Sequence, residues 1–234
     1  MKTLQRFGGA AALIDAGTYL FSMGLLFTVL APFGQELDFA RFMAFFLDNQ
    51  ALVSVWHLTM YLVNGVFLVI LALALYDRLK AGSPVLAPVA TALGLIWAVM
   101  VFASGFITLY GFEILADLYG RDPAQAAALK LVLDMVTIGL DHSDRFLGCL
   151  WVLLTSWAAL RTRALPRGLN FLGLVIGVPG VVSMFLPSAN ELAYAFGLGI
   201  IVWWIWLGIT LLRRSPEPSA QNSPLQKRIS EGSL

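Results

Sequence analysis

The chain has 234 residues, of which 59% are hydrophobic and 12% charged, with a formal net charge of +1. Soluble domains carry roughly 25% charged residues, and a chain this short cannot hide so much apolar surface from water, so lipid must cover part of it. The near-neutral charge, with basic residues spread over the loops, excludes a global pull toward nucleic acid. The single cysteine excludes an intramolecular disulfide and a thiolate metal site.

A membrane-crossing helix needs about 20 mostly apolar residues, and six stretches qualify. The first is about 9–32, GAAALIDAGTYLFSMGLLFTVLAP. Lys2 and Arg6 precede it as in a secretory leader, but the run exceeds an h-region and Pro32 follows the one small-residue cleavage point, Ala31. A retained span is expected. It holds Asp15, roughly 9 Å in from its inner end at 1.5 Å rise per residue. A carboxyl group there serves either as a protonatable group facing a cavity or as an interhelical hydrogen-bond partner.

Residues 36–50, ELDFARFMAFFLDNQ, place Phe39, Phe42, Met43 and Phe46 at helical spacing opposite Asp38, Arg41 and Asp48. The pattern predicts an amphipathic helix lying in the outer interface. The second span, about 51–75, carries His57 and Asn64. Seven positions make nearly two α-helical turns, so the two are expected on nearly one face, as a polar stripe toward the bundle interior. The third span is about 87–112, with Glu113 at its outer end.

Residues 122–140 form a second amphipathic segment, with Leu129, Val132, Leu133 and Val136 as its stripe, Asp122 as N-cap and Pro123 at the first helical position. It either lies on the membrane or joins the fourth helix. The cluster GLDHSDRFLG at 139–148 then leads into the fourth span, about 144–163. As a helix start, Asp141 caps, Asp144 faces the positive end of the dipole and Arg145 pairs with Asp141. As a site, His142 joins His57, Glu113, Asn190 and Glu191 on one side of the membrane, a histidine tuned by carboxylates around an outward-facing pocket. Cys149 reads as a small packing residue.

The fifth span, about 168–186, contains Gly173 and Gly177, a small-residue face for close helix approach within the chain or between two copies, and Pro179, expected to kink it. The sixth, about 191–212, carries Trp203, Trp204 and Trp206 near its inner end, where an aromatic belt is expected. The Ser/Pro-rich tail 215–234 is expected to be disordered. The two halves show no self-similarity of the inverted-repeat kind.

Eleven basic residues fall on one side of this arrangement, Lys2, Arg6, Arg78, Lys80, Arg161, Arg163, Arg167, Arg213, Arg214, Lys227 and Arg228; the other side has Arg41, Arg121, Lys130 and Arg145. The bias predicts both termini in the cytoplasm. The fold expected for residues 1–214 is therefore an all-α, polytopic bundle of six transmembrane helices with one or two outer interfacial helices.

No GxSxG, HExxH or phosphate-binding loop occurs. Two histidines exclude a three-histidine zinc site and leave His57, His142 and one acid as the weak metal option. Their different depths disfavour bis-histidine haem, and no cofactor is called for. The leading expectation is a non-enzymatic membrane protein, binding a hydrophobic or lipid-like ligand or serving as an accessory subunit. The alternatives are a small-solute or proton-linked transporter using Asp15, Asn64 and His57, and an outward-facing membrane hydrolase with His142 as base and Asp141 or Asp144 as its orienter.

The stretch DHSDRFLGCLWVLLTSWAALRTRALPRGLNFLGLVIGVPG resembles a group of bacterial six-helix membrane proteins that share a domain of unknown function. The matching residues are His142, Gly148, Leu165-Pro166-Arg167 and Gly173, with Asp15 matching an acidic residue of the first span. The resemblance is clearest over residues 141–180. It implies a bacterial inner-membrane location and six helices, and supplies no catalytic residues.

Overall fold

The computed structural model describes residues 2–34, 38–185 and 190–213, and of these the side chains of 2, 33, 34 and 190–194 are not described. Among the described residues the chain is helical, without a strand. Its elements are α1 (Lys2–Phe27), a 3₁₀ turn (Ala31–Gly34), α2 (Phe39–Asp48), α3 (Gln50–His57), a π-helical turn (Leu58–Val63), α4 (Asn64–Leu79), α5 (Leu86–Arg121), α6 (Pro123–Thr162), α7 (Arg167–Ser183) and α8 (Asn190–Arg213). The expected disordered tail lies outside the described residues.

Five helical stretches are long and apolar enough to cross a membrane: Thr3–Phe27, Gln50–Leu79, Leu86–Arg121, Pro123–Thr162 and Ala195–Arg213. The chain is a multi-pass membrane protein. Arg167–Ser183 is apolar but shorter.

Each membrane-length element packs on its chain neighbours, and α8 closes on α1, so the bundle is a ring of helices. Gly9 and Gly208 allow that closure: a Cβ on Gly208 would lie 2.8 Å from the Gly9 carbonyl oxygen. The end that carries Lys2, Leu79, Leu86, Thr162 and Arg167 is called the near end, and the opposite one the far end. At the near end the Arg78 guanidinium donates to the Ala164 carbonyl at 3.1 Å and to Gln5 at 3.3 Å, tying three connections together. Arg163, in the left-handed region at φ 53, stops α6, and Pro166 precedes the start of α7.

Four tryptophans fill the ring. Trp97, Trp151, Trp203 and Trp204 are at most 1% exposed. Trp97 stacks on Trp204 with centroids 6.1 Å apart and tilts on Trp151 at 5.5 Å, and Trp151 meets Trp203 edge-on at 5.7 Å. The belt expected from the Trp203, Trp204 and Trp206 cluster is therefore confined to half-exposed Trp206. Hydropathy cannot distinguish an indole facing the headgroups from one facing a bundle interior.

Residues 122–140 do not lie on the membrane as a separate helix; the structure takes the other reading, in which they join the fourth helix. They are the first half of α6, which runs unbroken for 40 residues, about 60 Å. Asp122 caps it, accepting from the Ala124 and Gln125 amides at 3.0 and 3.1 Å, with Pro123 next. Helix α5 likewise continues past Glu113 to Arg121. Both exceed the roughly 30 Å hydrocarbon layer, and the excess projects from the far end as a hairpin. Nor does α2 lay its apolar face on lipid. Phe42, Met43 and Phe46 are buried in a second core with Leu30, Val53, Phe112, Leu115, Ala126 and Leu133. The amphipathic pattern was real, but the partner that covers it is protein.

The Gly173/Gly177 face is used inside the chain. A Cβ on Gly173 would press on Trp203 of α8 and one on Gly177 on Leu153 of α6, at 2.9 and 2.6 Å. Within the chain that face meets α6 and α8.

Candidate functional site

Two polar assemblies lie within the bundle. The first joins α1 to α4. Asp15 is fully buried, and Asn64 donates from Nδ2 to its Oδ1 at 3.2 Å and to the Thr18 hydroxyl at 3.3 Å. Thr18 in turn donates to the Asp15 carbonyl at 2.8 Å. The second carboxylate oxygen, Oδ2, has no hydrogen-bond partner among the described residues.

His57 does not share this assembly, contrary to the single polar stripe expected on one face. The π-turn Leu58–Val63 lies between it and Asn64. A π-turn inserts an extra residue relative to α-helical spacing and rotates everything before it about the helix axis. Asn64 consequently faces α1 while His57 faces α5 and α6.

There His57 sits at the floor of a cleft of about 630 Å³ between α2, α3 with its π-turn, α5 and α6. Its Nδ1 lies 2.8 Å from the Val53 carbonyl, which can only accept, so Nδ1 carries a hydrogen. Its ring stacks on Tyr61 at 5.8 Å and 17°, and meets Trp56 and Phe112 edge-on at 4.6 and 5.4 Å. Residues 57 and 61, one turn apart, thus present two parallel rings. The Tyr61 side chain is close enough to Asp141, which lines the same cleft from α6, for the two to interact electrostatically.

Higher up, Lys130 and Asp134 form an ion pair one turn apart on α6, with Nζ 2.6 Å from Oδ2, and the same Nζ stands 4.3 Å over the Phe42 ring. Thr108 and Thr137 add hydroxyls, and Phe39, Leu131 and Leu133 add apolar wall. A largely apolar cleft of a few hundred cubic ångströms with a few convergent polar groups has the usual form of a small-molecule site.

Within the cluster at 141–145, Asp141 and Asp144, three residues apart, share the inward face of α6, with Asp141 near Tyr61 and Asp144 accepting from the Trp97 indole of α5. His142 is exposed, with Nδ1 2.8 Å from the Ile138 carbonyl of its own helix. Because the helix is continuous here, Asp141 is not an N-cap, and the capping reading of this cluster falls with it. Nor does the structure join His142 to Asp141 or Asp144 as base and orienter. Among the described residues His142 forms no ion pair. Arg145 is half-buried and close enough to Asp141, Asp144 and Tyr19 to act on them electrostatically.

Glu113 is exposed and lines a second cleft, of about 460 Å³, with Gln50, Ser54, Leu58 and Tyr110. It is not brought to His142. Asn190 and Glu191 begin α8, and their side chains lie outside the described residues. No group of three or more metal-ligating side chains occurs among the described residues.

Sequence reasoning overlooked Tyr61, Thr108, Phe112, Lys130 and Asp134. Two signals were present: Tyr61 follows His57 by four residues, and Lys130 precedes Asp134 by four, a spacing that pairs side chains on a helix. A family model described as a domain of unknown function (DUF4386) matches residues 8–214, the whole ring of helices. No curated protein and no solved structure matches the chain.

Proposed function

Because the chain belongs to the DUF4386 family, whose domain has no assigned function, we propose a role from its own geometry: a ligand-binding protein of the bacterial inner membrane that holds a small amphipathic molecule in the far-end cleft. In this reading α7 also crosses the membrane, as the fifth of six spans, and both termini are cytoplasmic. The basic residues Arg78, Lys80, Arg161, Arg163, Arg167 and Arg213 gather at the near end, as the positive-inside bias requires.

The observation that carries the reading is the cleft itself, walled by Phe39, Phe42, Phe112 and Leu133 and floored by His57, Tyr61 and Asp141. Apolar walls over a polar floor suit a molecule with a tail and a head.

The test is native mass spectrometry of the detergent-purified protein with three dodecyl probes: dodecanol, dodecanoate and dodecyltrimethylammonium. At least one should bind stoichiometrically, and Thr108→Phe or Ala127→Phe, which fill the cleft, should displace it. Binding unaffected by both fillings, or no binding by any probe, overturns the reading.

One observation favours a second reading, proton-linked transport. Asp15 is a fully buried carboxyl group with one oxygen lacking a partner among the described residues, and it touches Asn64, another of the residues that reading invokes. Asp15→Asn should then abolish proton uptake in proteoliposomes without loss of folded protein.

A further inference from the structure

The charges and rings that line the cleft define what kind of head it accepts. Three formally charged side chains line it: Lys130, Asp134 and Asp141. Lys130 is held by both oxygens of Asp134, at 2.7 and 2.6 Å, so its charge is matched within the wall. Asp141 is the acid left over once that pair is set aside, so the lining groups sum to one negative charge; Arg145 and His142, which act on Asp141 electrostatically, are not part of the lining.

The cleft that Asp141 lines also carries aromatic faces and edges: the parallel rings of His57 and Tyr61, with Trp56 and Phe112 at right angles to His57. Aromatic walls around an acid attract a cation of low hydration, and an aromatic cage is how proteins recognise quaternary ammonium groups. The cleft already shows the preference, since the Lys130 ammonium rests on Phe42. An anionic head would meet Asp141 with no unmatched cation among the lining groups.

The lining on α6 runs from Ala127 to Asp141, about 21 Å at 1.5 Å per residue. Beyond the floor it is bounded by Leu131, Leu133, Phe39 and Phe42, a length and surface that suit an extended alkyl chain.

We infer that the cleft binds an alkylammonium amphiphile, its cationic head against Asp141 among His57, Tyr61 and Phe112 and its chain along Leu133 and Phe42. The inference rests on the cleft being a ligand site and adds the sign of the head.

The test compares dissociation constants for dodecyltrimethylammonium and dodecanoate by isothermal titration in a maltoside detergent, with tetramethylammonium as the head without a tail. The ammonium amphiphile should bind about tenfold or more tighter than dodecanoate, a difference of about 1.4 kcal/mol or more, and tetramethylammonium more weakly than the amphiphile. Asp141→Asn should remove the preference. Asp134→Asn, which leaves the Lys130 charge unmatched, should reduce it even if Asp141→Asn fails to fold. Competition by added phosphatidylcholine identifies a lipid headgroup as the source of the ammonium, and its absence identifies a free amphiphile; either is consistent with the inference. Dodecanoate binding as tightly as the ammonium, or a preference that survives in a folded Asp141→Asn or Asp134→Asn protein, overturns the inference while leaving the cleft a ligand site. Failure of every probe overturns both.

Discussion

Tyr61, in the π-turn of the second membrane-length helix, and Asp141, midway along α6, line the same far-end cleft with their side chains close enough to interact. The turn sets the direction these side chains face: the extra residue points His57 and Tyr61 toward α5 and α6 while Asn64 faces α1. A carboxyl side chain and a phenol eighty residues apart in sequence thereby come to one cleft.

Tyr61→Phe keeps the ring that stacks on His57 and deletes the hydroxyl. The Asp141 side chain loses a nearby polar group in a half-buried place, with an expected cost of about 0.5–1.5 kcal/mol. Denaturant unfolding in detergent should show a lower midpoint. Combining it with Asp141→Asn should give less than the sum of the two single losses. Full additivity would show that the two groups do not act as a pair.

Asn64 is the side chain that donates to Asp15, at 3.2 Å. Asn64→Leu leaves a fully buried carboxyl group without that donor, and the expected loss is about 1–3 kcal/mol. Replacing both, Asp15→Leu with Asn64→Leu, removes the polar groups together and should restore part of the stability of the single variant. Yield of monodisperse protein and the unfolding midpoint measure both. A double variant worse than either single one would refute the coupling.

Two glycines of α6 make a matched pair. A Cβ on Gly148 would lie 2.9 Å from the Trp97 ring, while one on Gly139 would have nothing within 4 Å. Gly148→Ala must displace an indole held between Trp151 and Trp204 and should destabilise by about 1–3 kcal/mol, the usual cost of overpacking. Gly139→Ala meets open space in a helix interior and should stabilise by up to about 1 kcal/mol. Equal effects at the two sites would contradict the tryptophan packing.

These contrasts show what the sequence could and could not disclose. Membrane crossing was legible because hydropathy over a 20-residue window reports the solvent directly. The Asp122 cap and Pro123 start were legible because capping is local chemistry. The placement of Trp203 and Trp204 was not, because an apolar helix face looks the same against lipid as against protein. The separation of His57 from Asn64 was not, because a π-turn changes the helical period without a compositional mark in LTMYLV. For the same reason the cleft was hidden. Its walls come from four elements, and the residues that carry its charge sit in a stretch whose apolar stripe suggested a surface helix.

Lys130 is where α2 is held to the long hairpin. Its Nζ is over Phe42 and its charge is matched by Asp134, with the side chain only 19% exposed. A cation over an aromatic face contributes about 0.5–2 kcal/mol, more when desolvated. Lys130→Met keeps much of the apolar stem that fills the gap and removes the charge. It should therefore loosen α2 without unfolding the bundle, whose main core lies around Trp97 and Trp151. Asp134→Asn removes the ion pair but keeps the ammonium on the ring, so it should loosen α2 less. Hydrogen exchange of the amides of Phe39–Asp48 is the measurement, expected to quicken by about two- to tenfold in Lys130→Met. Exchange that is unchanged in Lys130→Met, or faster in Asp134→Asn than in Lys130→Met, would show that α2 is fixed by its Phe42, Met43 and Phe46 packing alone, and that the ammonium contributes nothing to closing the cleft.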